Sequence, residues 1–320
     1  MKIAVIGSGV YALALINGMS KNNHSVNVWT HDEAIVKKFN LDKVIENNLG
    51  KETPLNIKMV STSMNEVCND VDLVYIVVTS EHFNSVINKL HDSNIDKPIC
   101  IATKGLDTVK NDFLSNTTLE YYNKDNIAIL SGPCFATDLL NDELIALSIG
   151  VMNDDMFDIV SKSIESEYIA LEKINGFITM QLCNSVKNIT AIASGMLAGF
   201  GYSNSTNAFL MTKVIKDIRK IVTLFYEEDD YVISYAGIGD TILTCTSSKS
   251  RNFKFGYDLA NNLVDENYLK THTVEGYTAL KTIKELFIKY NISFPFIDSM
   301  YKIIYEKEDE KLLIKLLKEK

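Results

Sequence analysis

Short apolar runs alternate with stretches of helical periodicity through the first half of the chain. Lys2–Ile6, Ser25–Trp29, Asp72–Val78, Pro98–Thr103, Asn126–Ser131 and Leu144–Ile149 read as strands. Between them, segments such as Glu81–His91 carry Phe83, Val86, Ile87 and Leu90 at the spacing of one helix face. That alternation predicts an open, largely parallel α/β sheet. Beyond about residue 173 the strand signal fades, and Phe177–Leu197, Asn204–Tyr226, Glu275–Tyr290 and Asp298–Lys318 read as long helices. The division expected is an α/β domain over residues 1–173 followed by an all-helical domain over 174–320.

At 320 residues, 46% hydrophobic and 23% charged, the chain is an ordinary globular one with length for two cores, which excludes disorder, collagen and a disulfide-held miniprotein. Its formal charge of -9 argues against nucleic acid, whose phosphates are held by basic surfaces. No apolar run approaches the roughly 20 residues that span a bilayer, and a strand starting at Lys2 leaves no length for a signal peptide. The five cysteines are widely spaced with no C-x-x-C, so neither a disulfide framework, a zinc site nor any other metal is expected, and a reducing cytoplasm is. The charge run Glu306–Lys311 is expected to be a solvated helix face.

Gly7-Ser8-Gly9-Val10-Tyr11-Ala12 follows the first strand and opens a helix, the context in which G-x-G-x-x-A marks a dinucleotide site. Gly7 permits the tight turn, Gly9 lets backbone approach a pyrophosphate, and Ala12 keeps helix and strand close, while the helix N-terminus offers N–H groups to phosphate. The second strand ends at Trp29-Thr30-His31-Asp32, where a carboxylate normally takes the ribose 2′-hydroxyl. Asp32 either serves there or N-caps the helix Glu33–Phe39, and His31 tolerates a 2′-phosphate, so NAD and NADP both stay open.

From Lys173 through Lys216, and again from Thr241 through Tyr257, there is no Asp or Glu, although lysines and Arg251 lie in these spans. They are the local positive regions an acidic chain needs for an anionic ligand. Arg251 is one of only two arginines, and its planar fork suits a phosphate. Lys187 sits in a helix otherwise mostly apolar or small, with Gln181, Asn184 and Asn188 within two turns; it is a site candidate or a lysine whose charge snorkels to water. Asp240, after Gly237-Ile238-Gly239, is a second candidate or merely a helix N-cap. Thr103-Lys104-Gly105 and Ser131-Gly132-Pro133-Cys134-Phe135-Ala136 follow strands, at the sheet edge where open α/β proteins bind ligands.

These blocks, with Val186-Lys187-Asn188, Ala191-Ile192-Ala193-x-Gly195, Gly237-x-Gly239-Asp240, Thr244-Cys245-x-Ser247, Ser250-Arg251-Asn252 and Val274-Glu275-Gly276, come in one order over nearly the whole chain. In that order they resemble the bacterial-type NAD(P)-dependent glycerol-3-phosphate dehydrogenases. The resemblance implies a Rossmann-type dinucleotide-binding domain followed by a helical domain like that of 6-phosphogluconate dehydrogenase. It implies a cytoplasmic enzyme, usually a homodimer, that reduces dihydroxyacetone phosphate to sn-glycerol 3-phosphate for glycerophospholipid synthesis with NAD or NADP. Lys187 would donate or accept the proton. Lys104, Gly132, Cys134, Asp240, Ser250, Arg251 and Asn252 would line the substrate. Gly7, Gly9, Val10, Tyr11, Ala12, His31, Lys104, Ala136, Arg251, Thr273 and Glu275 would touch the nucleotide.

Departures stand beside the match. Cys183-Asn184-Ser185-Val186-Lys187 replaces that family's usual Gly-Gly-Ala-Leu-Lys, Cys134 stands where Ser, Thr or Asn is usual, and Lys213 where Arg is common. The residues leave open a related 3-hydroxyacid or 6-phosphogluconate-type dehydrogenase, or a nucleotide-sensing module with weakened catalysis.

Overall fold

The structure, a computed structural model, describes residues 1–45 and 56–318. Its sheet has eight strands: β1 (Lys2–Ile6), β2 (Ser25–Trp29), β3 (Ile57–Ser61), β4 (Leu73–Ile76), β5 (Ile99–Ile101), β6 (Ile127–Ser131), β7 (Ile145–Gly150) and β8 (Ile169–Ile174). Their order is β3-β2-β1-β4-β5-β6-β7-β8, and every pairing is parallel except β6 with β7. The order reverses between β1 and β4, so the carboxyl end of β1 lies at the switch point where such sheets bind ligands. The central strands β4, β5 and β6 are buried throughout, as expected of strands covered by helices on both faces.

Six strands lie where the apolar runs predict them. The two that were not foreseen, β3 and β8, are the two edges of the sheet. Lys58 interrupts the apolar residues of β3, and Glu172 and Lys173 those of β8, so neither edge presents a continuous apolar run.

The chain divides into two compact units, residues 1–104 with 114–177, and residues 105–113 with 178–320. This is not the single cut after residue 173 that the periodicity suggests. β8 runs to Ile174, and Gly105–Phe113 belongs to the second unit because Phe113 is buried there against Phe225 and Tyr290, with Asp112 held by Lys289 at 2.5 Å. The second unit is helical, its core built around the helix Ile178–Gly199, in which every residue from Thr179 to Leu197 is buried. The helix expected over Asp298–Lys318 is two, Pro295–Tyr305 and Lys311–Lys318. Lys307 between them adopts φ 55°, and the charge run is therefore a solvated break and not a helix face. Among the described residues, no helix is long and apolar enough to cross a membrane.

Candidate functional site

In the first unit the glycine turn has the geometry its sequence suggests. Gly7 is at φ +129°, and a Cβ there would meet the Val77 carbonyl oxygen at 2.4 Å. A Cβ on Gly9 would meet nothing within 4 Å, so the backbone at the head of helix Val10–Lys21 opens on space. Among the described residues no side chain caps that helix, and no acid lies in its first turn. Its first N–H groups therefore point outward with the partial positive charge of the helix end. Ala12 is buried where helix meets strand. After β5, the half-buried Lys104 sets its Nζ over the Tyr11 ring, 5.4 Å from the centroid, and so brings a full cation to the same helix end.

At the end of β2 the Asp32 carboxylate accepts from the Ala34 N–H at 2.8 Å and caps helix Glu33–Asp42. The cap read for Asp32 is thus present, through one of its two carboxylate oxygens. His31 is exposed beside it, and the buried Thr30 accepts the Ser8 hydroxyl at 2.9 Å. Gly132 has a packing reason of its own: a Cβ there would meet the Ala146 carbonyl oxygen at 2.5 Å, where β6 and β7 run together. Cys134 is buried, its thiol donating to the Phe135 carbonyl at 3.2 Å, and Ala136 starts the short helix Ala136–Leu140.

In the second unit Lys187 is 3% exposed and forms an ion pair with Asp240, which is 1% exposed. The snorkelling alternative fails: the ammonium ends inside, on a carboxylate. The N-cap alternative for Asp240 fails as well, because Gly239 before it is already helical at φ −59°, ψ −52°. Thr244, one turn on, donates to the Asp240 carboxylate at 3.3 Å and to its carbonyl at 2.7 Å. Burying two charges costs several kcal/mol per ion before their attraction is counted, so fold stability alone is a weak reason for such a pair.

Next to Lys187, Asn188 accepts from the Asn252 amide at 3.0 Å and donates to Glu275 at 3.4 Å. Asn252 in turn accepts the Gly276 N–H at 2.8 Å, and Arg251 donates to the other Glu275 oxygen at 3.2 Å. Arg251 is exposed at the first turn of helix Arg251–Ala260, where its fork is open to an anion. Ser250 caps that helix, its hydroxyl accepting the Phe253 N–H at 3.2 Å, and Thr273 is exposed just before helix Glu275–Lys289. The chain of contacts from Lys187 through Asn188, Asn252 and Glu275 to Arg251 thus joins three helices.

Not every basic residue joins this group. Lys173 lies in β8 and pairs with Asp154 at 2.5 Å, while Lys213 and Lys216 stand on the separate helix Asn204–Thr223. The acid-poor span is therefore not one positive patch. Two contributors went unforeseen, Glu227 and Ser234, while Asn188, expected near Lys187, proves to be a link between helices. Glu227 accepts the N–H groups of Ile178 and Thr179 at 2.8 and 2.7 Å and so caps the Lys187 helix. Asn188 links the three helices, and Ser234 caps the turn before Asp240. The signal of Glu227 and Ser234 in the sequence is a polar residue type alone, with no spacing to tie it to its partner.

Residues 2–157 match the family described as NAD-dependent glycerol-3-phosphate dehydrogenase N-terminus, and residues 177–315 match its C-terminus. An NAD(P)+-dependent glycerol-3-phosphate dehydrogenase of Lactobacillus delbrueckii subsp. bulgaricus is 31% identical over 95% of this chain and 93% of its own. One of Alcanivorax borkumensis is 25% identical over 98% of this chain and 92% of its own. The crystal structure of the Coxiella burnetii glycerol-3-phosphate dehydrogenase superposes with a TM-score of 0.90, at 24% identity over 99% of each chain.

Proposed function

Because this chain belongs to the NAD-dependent glycerol-3-phosphate dehydrogenase family, we propose that Lys187 is its proton donor and that Asp240, Asn252 and Arg251 place the phosphorylated substrate against it. The reaction is the reversible NAD(P)H-dependent reduction of dihydroxyacetone phosphate to sn-glycerol 3-phosphate. Family membership favours this reaction over those of 3-hydroxyacid and 6-phosphogluconate-type dehydrogenases, and the turnover assay below tests the alternative of a nucleotide-sensing module with weakened catalysis.

A dinucleotide fits the first unit: the strained Gly7, the open Gly9 and the uncapped helix end suit a pyrophosphate, with Val10, Tyr11, Ala12 and Lys104 around it. Bound reduced nicotinamide supplies the hydride that goes to the substrate C2. Lys187, as ammonium, polarises the C2 carbonyl and passes a proton to that oxygen as it gains negative charge; in the reverse direction the neutral amine takes it back. Asp240 holds the amine in one place in a dry environment, where a charge-assisted bond is strong. Arg251 offers a fork to phosphate, and Lys104 a second cation. Gly132, Cys134, Ser250, His31, Ala136, Thr273 and Glu275 complete the proposed substrate and nucleotide contacts.

The observation that carries this reading is the buried Lys187–Asp240 pair beside the Asn188–Asn252–Glu275 chain. A homodimer, a cytoplasmic location and a product used in glycerophospholipid synthesis complete it. NADH and NADPH absorbance followed with dihydroxyacetone phosphate tests the activity and ranks the cofactors. Lys187→Ala is expected to keep nucleotide affinity and lose about 10²–10⁴ in turnover. Retention of more than about a tenth of wild-type kcat would remove Lys187 from the role.

A further inference from the structure

The helix Asp240–Thr246 does not begin as helices ordinarily do. It continues from a π turn over Tyr235–Gly239, in which the Gly239 N–H reaches back to the Ser234 carbonyl at 3.2 Å. Ser234 itself is extended, at φ −123° and ψ 173°, and its hydroxyl accepts the Gly237 N–H at 3.0 Å. Gly237 has no room to become anything larger: a Cβ there would meet the Val232 carbonyl oxygen at 2.1 Å. Thr241 donates to the Gly237 carbonyl at 2.9 Å, tying the residues that follow back to the turn.

A turn closed five residues back holds one residue more than an α turn, so the side chains after it are displaced by about 100° around the axis relative to an uninterrupted α-helix. Asp240 is the first residue after this turn, and it is buried. At another phase its carboxylate would leave Lys187, and neither charge would reach water.

We propose that Ser234 is a positioning residue for the reaction: by capping the π turn it sets the phase at which Asp240 meets Lys187. The inference rests on Lys187 being the proton donor. Nothing in the acid–base chemistry requires Ser234 to touch substrate or cofactor. It acts through the backbone N–H of Gly237 and, from there, through the direction of the Asp240 carboxylate. Titratable groups near the pair include Cys183, one turn before Lys187, Cys245, whose Sγ lies 3.8 Å from the Lys187 carbonyl oxygen, and Glu227. Burial pushes both thiols up to about 12, so they stay neutral in the ordinary working range.

Four variants of the full-length enzyme test this. Ser234→Ala and Ser234→Gly remove the acceptor, whereas Ser234→Thr and Ser234→Asn keep one. Each is measured for kcat and KM with dihydroxyacetone phosphate, the pH profile of kcat, NADH affinity and thermal midpoint. The two variants without an acceptor are expected to lose about tenfold or more in kcat, with a displaced pH profile and near-wild-type NADH affinity. The two with an acceptor should recover most of it, whatever their thermal midpoints. Wild-type kcat and pH profile in Ser234→Ala and Ser234→Gly, or kcat values that follow the thermal midpoint and not the acceptor, would overturn the inference. Lys187→Ala in the same assay separates the two ideas. If it turns over like wild type, the proton-donor reading falls; if it is inactive while all four Ser234 variants are normal, only the role of Ser234 falls.

Discussion

Gly195 and Gly256 meet across two crossing helices, each at the point where the other helix's backbone leaves no room. A Cβ on Gly195 would stand 1.9 Å from the Phe253 carbonyl oxygen, and one on Gly256 would stand 1.9 Å from that of Ile192. Gly276 repeats the pattern on a third helix, where a Cβ would meet the Asn188 carbonyl oxygen at 2.7 Å. These approaches explain how Asn252 and Glu275 both reach Asn188, since short amide and carboxylate side chains span the gap only if the helices lie this close.

Gly256→Ala should therefore destabilise the protein. Alanine gains about 1 kcal/mol over glycine in a helix interior, but forcing a methyl group into a filled contact costs about 1–3 kcal/mol. Urea unfolding should show a lower midpoint, and the KM for dihydroxyacetone phosphate should rise as Asn252 moves. An unchanged midpoint would mean that the helices separate for no more than the about 1 kcal/mol that alanine gains.

Legibility in the sequence tracked how local the cause was. The turn at Gly7 is written in six consecutive residues, and its strain and openness are where those residues place them. The interior strands show as apolar runs because both their faces are buried, whereas β3 and β8, with one side to water, do not. Lys187 stood out as a cation in an apolar helix, yet its partner lies 53 residues away, at a distance no periodicity reports. The same holds for Glu227, which caps a helix that begins 49 residues before it, and for the insertion of Gly105–Phe113 into the helical unit.

Asp240→Asn leaves a buried ammonium without its carboxylate. Removing one partner of a buried pair costs about 3–5 kcal/mol, so a large drop in unfolding free energy is expected together with loss of turnover. The double change Lys187→Met, Asp240→Leu should recover much of the stability and none of the turnover. Recovery of neither would mean that the pair sustains the fold in a way apolar residues cannot replace.

Glu227→Gln keeps an acceptor at the start of the Lys187 helix but removes the negative charge from it. A charge at a helix N-terminus is worth about 0.3–2 kcal/mol, and a lower urea midpoint of that order is the expected outcome. Glu227→Ala, which orphans the N–H groups of Ile178 and Thr179, should cost more. Equal midpoints for the two variants would show that solvent replaces the cap.

Burial pushes the thiols of Cys68, Cys183 and Cys245 up to about 12, and that of Cys100 further. All five cysteines are buried. Thiol reagents at pH 8 should label the native enzyme slowly and the urea-unfolded chain fast. The raised values also fix the sign of an alkaline effect. The unfolded chain loses thiol protons near the ordinary value of about 8.5 while the folded one holds them, so stability is fully present below that pH and falls as pH rises towards the folded values. A midpoint that rises between about pH 9 and 11 would contradict it.

Arg251 and Glu275 form an exposed ion pair, with side chains 61% and 47% exposed, and such pairs contribute about 0–1 kcal/mol. The guanidinium therefore gives up little when it turns from Glu275 to a phosphate, and most of that contact counts toward substrate affinity. Lysine offers a point charge in place of two parallel donors. Arg251→Lys should thus raise the KM for dihydroxyacetone phosphate by about tenfold, with kcat changed far less. Inhibition by inorganic phosphate should weaken in step, because it competes for the same fork. Initial rates over a substrate series, with and without phosphate, measure both effects. A KM that stays put while phosphate inhibition also stays would place the substrate's phosphate on other residues.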